Sequence, residues 1–150
     1  MSDQAELSDD QLGRLPVPVW YRLVALAGLL FEIAGVYAFI LQMTVDPRSL
    51  PIDQRALAET LPTLTLVAYG MAVTSGLAGA VALLARWPWA SAALLLSLIA
   101  MAVQFASTLL GTTARGTTPS ADLLGPILIL LCAYGLWQFA KIARRRGWLD

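Results

Sequence analysis

Four apolar runs, each long enough to cross a bilayer as a helix, constrain this chain more than any other feature. They cover residues 17–43, 61–85, 87–110 and 123–140. An α-helix rises about 1.5 Å per residue, so about 20 residues cross the roughly 30 Å of hydrocarbon in a bilayer. The second, third and fourth runs hold no charge, and the first is interrupted only by Arg22, Glu32 and Gln42. Composition agrees. Of 150 residues 58% are apolar and 13% charged, about half the charge of a soluble domain. So few charges cannot cover a water-facing surface.

The expectation is an all-α, four-transmembrane-helix bundle forming a single integral membrane domain over 1–150. Its helices fall at about 17–43, 61–85, 87–110 and 120–140, with cytoplasmic tails at 1–16 and 141–150. The first residues are acidic (Asp3, Glu6, Asp9, Asp10), and no small-residue cleavage site follows the first run. That run is therefore expected to remain as a membrane helix and not as a cleaved signal.

Basic residues in short loops mark the cytoplasmic side. With four spans, one side carries Arg14, Arg22, Arg86, Lys141, Arg144, Arg145 and Arg146, and the other Arg48, Arg55 and Arg115. Seven against three predicts both termini in the cytoplasm. Trp20, Trp87, Trp89, Trp137 and Trp148 all fall near the same predicted ends. Indole favours the headgroup level, so these five are read as interfacial anchors.

Punctuation places the boundaries. Asp46-Pro47 should end the first helix, because the residue before proline is pushed out of the α region. Pro88 reads as the start of the third helix and Pro62 as near the start of the second. In a fourth helix starting near Ser120, Gly125-Pro126 would form a kink. The longest connection, "VDPRSLPIDQRALAETLP", contains good helix formers and predicts a short extracytoplasmic surface helix between the first two spans.

Two kinds of inward face are legible. Small residues repeat every four positions in the second span, Ala72, Gly76 and Ala80 on one line, Ser75 and Gly79 on another. Close backbone approach at small residues replaces the missing hydrophobic drive between helices in lipid. This helix is expected to sit between neighbours. The third span lines up Ala93, Ser97, Ala100, Gln104 and Ser107, and the first lines up Ala25, Gly28, Glu32, Gly35 and Gln42. The two polar stripes should meet, bringing Glu32 near Ser97 or Gln104.

Glu32 is the outlier. An ionised carboxylate at mid-bilayer costs at least about 2.5–3.5 kcal/mol, and no Lys or Arg lies at its depth in any span. The expectation is a neutral acid hydrogen-bonded to Gln104 or a backbone carbonyl, or else a wet cavity. Glu32, Gln42, Ser97 and Gln104 make the candidate polar site, and Gly28, Gly35, Ala72, Gly76, Gly79 and Ala80 the packing set.

Several functions lack their residues. There is no His, and Cys132 is the only cysteine. No metal-ligand spacing, phosphate-binding loop or nucleophile–base pair appears, so no enzyme, metal or cofactor is expected. Formal charge sums to zero, which predicts no nucleic-acid partner. Cys132 is read as a small apolar packing residue.

The stretches "LLFEIAGVYAFILQMT", "LP" at Leu61-Pro62, "GLAGAVALLARWPWA" and "ARRRGWL" resemble a family of small, uncharacterised four-helix bacterial inner-membrane proteins, often labelled putative sugar transporters. The resemblance implies the same fold and membrane. It also implies that the Glu32 position asks for polarity more than for titration. The sequence reading is an accessory or interaction subunit of a membrane complex, or a homo-oligomer. The alternative is an oligomeric small-solute or ion transporter with Glu32 in its path. The basic tail "KIARRRGW" could also hold anionic headgroups, although topology alone accounts for it.

Overall fold

A computed structural model of the chain describes residues 17–49, 63–113 and 124–149. Among them are four α-helices: α1 (Val19–Thr44), α2 (Thr63–Leu84), α3 (Ala90–Thr113) and α4 (Leu124–Arg145). All four are long and apolar enough to cross a membrane. At about 1.5 Å per residue, the 26 residues of α1 reach about 39 Å, enough to span with some tilt.

The helices alternate in direction. Phe39 stacks edge-on against Tyr69 at 5.0 Å, while Tyr21 at the other end of α1 donates its hydroxyl to Leu83 O at 2.6 Å. Thus α1 and α2 are antiparallel. Thr65 pairs with Ser107 and Ser97 with Ala72, so α2 and α3 are antiparallel too. Tyr21 and Trp20 meet Phe139 of α4 at 5.4 and 5.7 Å. The first turn of α1 and the last turns of α4 therefore lie at one end of the bundle.

That end carries a local device hidden in the sequence. The α2–α3 connection is a tight turn over Ala85–Trp89, and α3 begins at Ala90, not at Trp87 as the proline suggested. Arg86 adopts φ 65°, Arg86 N–H donates to Leu83 O (3.2 Å) and Trp87 N–H to Ala82 O (2.8 Å). These are the two bonds of a Schellman ending, with arginine where glycine is usual. Pro88 consequently sits in the turn itself. α4 ends the same way. Gly147 has φ 66°, and Trp148 N–H reaches Ala143 O at 3.0 Å.

The fourth helix also departs from expectation. It runs unbroken from Leu124 to Arg145. The described helix shows no break at Gly125-Pro126, and the expected start near Ser120 lies outside the described residues. Its continuation past Ala140 makes helix of five residues assigned to a tail. The expected surface helix between the first two spans, on "IDQRALAET", lies outside the described residues; ahead of it Pro47–Ser49 form a single 3-10 turn. Asp46 holds that turn, its carboxylate accepting from Arg48 N–H at 2.9 Å.

Burial is uneven along the bundle. α2 is buried along its whole length, from Thr65 to Leu83, as its small residues predict. In α1 the buried residues are Tyr21, Ala25, Gly28 and Glu32, and in α4 Ala133, Leu136, Ala140 and Ala143. α3 buries Ala90, Ser91, Leu94, Ser97 and Ala100. None of 33–44, 101–110 or 124–132 is buried. Apart from α2, which is buried along its whole length, the buried residues therefore lie in the half of the bundle that holds the start of α1 and the end of α4.

Candidate functional site

The candidate site is built where α1, α2 and α3 meet at mid-span. Its floor is Gly76 on α2. A side chain there would collide: a Cβ would stand 2.7 Å from Glu32 Cδ and 2.8 Å from Ser97 Oγ. The missing side chain thus admits a carboxyl from α1 and a hydroxyl from α3 to the same patch of α2 backbone. Glu32 is 4% exposed and Ser97 2%. Ser97 Oγ donates to Ala72 O at 2.8 Å, one turn along α2 from Gly76, which anchors α3 to α2 through a buried polar bond.

The expected meeting of stripes is thus realised between Glu32 and Ser97. It does not extend to Gln104. That residue is two helical turns beyond Ser97, about 10 Å along α3, and is half-buried. Gln42 is exposed near the end of α1. Nor does Glu32 form the expected hydrogen bond to Gln104 or to a backbone carbonyl. Among the described residues its carboxyl has no hydrogen-bond partner.

The packing set divides. Gly28 faces Leu136 of α4, whose Cδ1 lies 2.5 Å from where a Cβ would be. Gly79 meets Leu94 of α3, including its backbone N at 3.0 Å. Ala72 and Ala80 are fully buried. Gly35 is the correction: nothing stands within 4 Å of its Cβ position. It follows Glu32 by about one turn, where α1 has left the packed half.

A second polar contact was not anticipated. Thr65 and Ser107 pair at 2.7 Å between α2 and α3. The signal was available, because Thr65 lies seven residues before Ala72, on the same face of α2.

The tryptophans gather at the end that holds the start of α1 and the end of α4. Trp20, Trp87 and Trp89 are exposed there and Trp137 is half-buried, with Lys141 Nζ 4.9 Å above the Trp137 ring. Trp148 departs from its expected anchoring role. The Schellman turn folds it inward to 8% exposure, edge-on to Trp20 at 5.5 Å and Tyr21 at 5.7 Å. Arg86 Nε donates to Trp148 O at 2.7 Å, binding the α2–α3 turn to the chain's end. Cys132 is exposed on α4 and does not pack inside the bundle.

The geometry therefore provides helix-to-helix polar contacts, one buried acid and an aromatic closure at one end. The chain matches no protein-family model, no curated protein and no solved structure.

Proposed function

We propose that this is a bacterial inner-membrane protein without chemistry of its own, working bound to other membrane-embedded subunits or to further copies of itself. The observation that carries this reading is the one-sided core. Among the described residues, α1, α3 and α4 bury no side chain in the half away from the start of α1 and the end of α4. That half offers large apolar side chains such as Tyr37, Leu110 and Leu124 to whatever lies beside it. Small residues and interhelical hydroxyl bonds are spent on holding α1, α2 and α3 together. Both termini are cytoplasmic in this reading, supported by the seven-to-three distribution of basic residues. Membership of the small four-helix family named above is part of the same proposal.

The test is purification in a gentle detergent, with the particle mass read by light scattering and its partners by mass spectrometry. A mass well above the 16.1 kDa chain, stable to dilution, is expected. A lone monomer in every gentle detergent and in nanodiscs would overturn the reading.

A second reading, an oligomeric small-solute or ion transporter with Glu32 in its path, has one observation in its favour. A buried intramembrane acid is by default a functional candidate, and this one has no partner among the described residues. Proteoliposome flux decides it. Glu32→Gln keeps the shape and removes the titrating group, so flux that is absent, or unchanged by this substitution, eliminates that reading.

A further inference from the structure

The contact between α1 and α4 is made in one half of the bundle and lost in the other. In the first half Tyr21 meets Phe139 at 5.4 Å, and Leu136 fills the space left by Gly28, its Cδ1 2.5 Å from where a Cβ would be. As α1 advances from Tyr21 to Gly28, its partners on α4 step back from Phe139 to Leu136, so the two helices are antiparallel. Seven residues carry a helix about 10.5 Å along its axis and return to within about 20° of the same line. Seven residues into the open half from Gly28 and Leu136 stand Gly35 and Ile129, at equal depth. The pair has the same form, a glycine opposite a large branched side chain. Seven residues the other way stand Tyr21 and Ala143, both in one buried cluster, again large opposite small. Yet the pair at Gly35 is not made. Nothing stands within 4 Å of the Cβ positions of Gly35 and Gly125, and Ile129 is 39% exposed. Phe39 holds the outer half of α1 to Tyr69 of α2 at 5.0 Å. No residue of 124–132 is buried, so α4 is the wall that is free to move.

We propose that α4 swings about its Leu136 contact between this open arrangement and a closed one, in which Ile129 seats on Gly35 as Leu136 seats on Gly28. Closure extends an interface that already exists and needs no change of register. Its seven-residue spacing is the one that antiparallel helices of a bundle use to keep a common seam. In lipid, close packing at a small residue supplies the attraction, and the hole at Gly35 is where α1 offers it. The open arrangement is the more populated one in the isolated chain, and the closed one is a minor state, typically about 0.1–10% for such a pair. Closing covers the α1–α4 side of the bundle one turn beyond Glu32. The device is independent of the partner reading. Tyr37 lies on the opposite side of α1 from Gly35, and Leu110 belongs to α3, so that surface is on offer in both arrangements.

Disulfide trapping reads a minor state, because each visit to it can be captured. Ala38 lies three residues beyond Gly35 on α1 and Gly125 four before Ile129 on α4, so closure brings them to nearly one depth. The full-length chain carrying Ala38→Cys, Gly125→Cys and Cys132→Ala is placed one copy per nanodisc and oxidised under catalysis. Peptide mass spectrometry follows the intrachain disulfide, which forms only when the two Cα atoms come within about 7 Å. The pair should crosslink, whereas Tyr37→Cys with Gly125→Cys, whose first cysteine points away from α4, should not. Adding Gly35→Leu to the Ala38/Gly125 pair should slow crosslinking about ten-fold or more, since filling the hole overpacks the closed arrangement alone. The same substitution should leave the thermal unfolding midpoint unchanged or raised, because the open arrangement has room for the side chain. No disulfide in the Ala38/Gly125 pair would overturn the proposal. Equal rates in the two pairs would mean random collision and overturn it too. A rate indifferent to Gly35→Leu would mean that Ile129 does not seat there. A lowered midpoint in Gly35→Leu would mean that Gly35 is already packed, which leaves no open arrangement to close. The two cysteine pairs alone can fail the proposal, whatever the third variant does.

Discussion

Two glycines in this chain have opposite value, and the difference is measurable. At Gly76 an added methyl group meets Glu32 and Ser97, the latter 2.8 Å away. Ser97 is anchored by its bond to Ala72 O, so it cannot move aside freely. Gly76→Ala is expected to destabilise the bundle by about 1–3 kcal/mol, the usual penalty for overpacking a filled core. At Gly35 the same methyl group meets nothing within 4 Å, and alanine is the better helix former by about 1 kcal/mol. Gly35→Ala should therefore be neutral or stabilising. Reversible unfolding in mixed detergent micelles compares the two, and equal effects would contradict the assigned packing. Both glycines fall on stripes of small residues in the sequence. Only the position of the neighbouring helix separates them, and helical periodicity carries no information about where a bundle opens. Glu32 and Ser97 were legible as partners because each lies on an inward stripe. Gln104 shares the stripe of Ser97, but a stripe specifies a face and not a depth.

At the scale of the elements, the four spans were legible because bilayer thickness imposes a length on any helix that crosses it. Their ends were less so. The α2–α3 turn closes on Arg86 in the left-handed region, φ 65°, a position where sequence rules look for glycine. With arginine there, the apolar run reads straight into Trp87 and Pro88, and the third helix is placed too early. The side chain supplies what the backbone conformation lacks, since Arg86 Nε donates to Trp148 O at 2.7 Å. Separating the two contributions gives a prediction. Arg86→Gly and Arg86→Ala both lose the side-chain bond, but only glycine is free of the left-handed penalty, about 1–2 kcal/mol for an L-residue. The alanine variant should be less stable than the glycine variant by about 1 kcal/mol. If the two variants unfold identically, the turn is not held in this conformation. Tyr21→Phe probes the neighbouring bond. Removing a hydroxyl that donates to Leu83 O at 2.6 Å should reduce stability by about 0.5–1.5 kcal/mol, with the aromatic contacts to Phe139 and Trp148 retained.

For the molecule as a whole, the asymmetry of the core implies an asymmetry of motion. Local opening is easiest where few side chains are buried. In the half that holds the start of α1 and the end of α4, Tyr21, Leu83, Leu94, Leu136 and Trp148 form one buried cluster. In the other half, residues 33–44, 101–110 and 124–132 contribute no buried side chain. Amides of a helix in hydrocarbon are shielded from water whether or not the helix is packed, so the contrast must be read where water or detergent has access. Hydrogen exchange in detergent is the suitable measurement. Amides of 33–44 and 124–132 should exchange faster than those of 21–32 and 133–143 on the same two helices. Each pair shares a helix and a solvent, and the comparison is made on amides that are bonded within the helix, after correction for each residue's intrinsic exchange rate, so that packing is what separates them. A partner or second copy covering the open half would slow exchange in 33–44 and 124–132 selectively, leaving 21–32 and 133–143 unchanged. Uniform exchange along α1 and α4 in the isolated chain would mean that the open half is as firmly held as the closed one. The one-sided core would then no longer point to a partner.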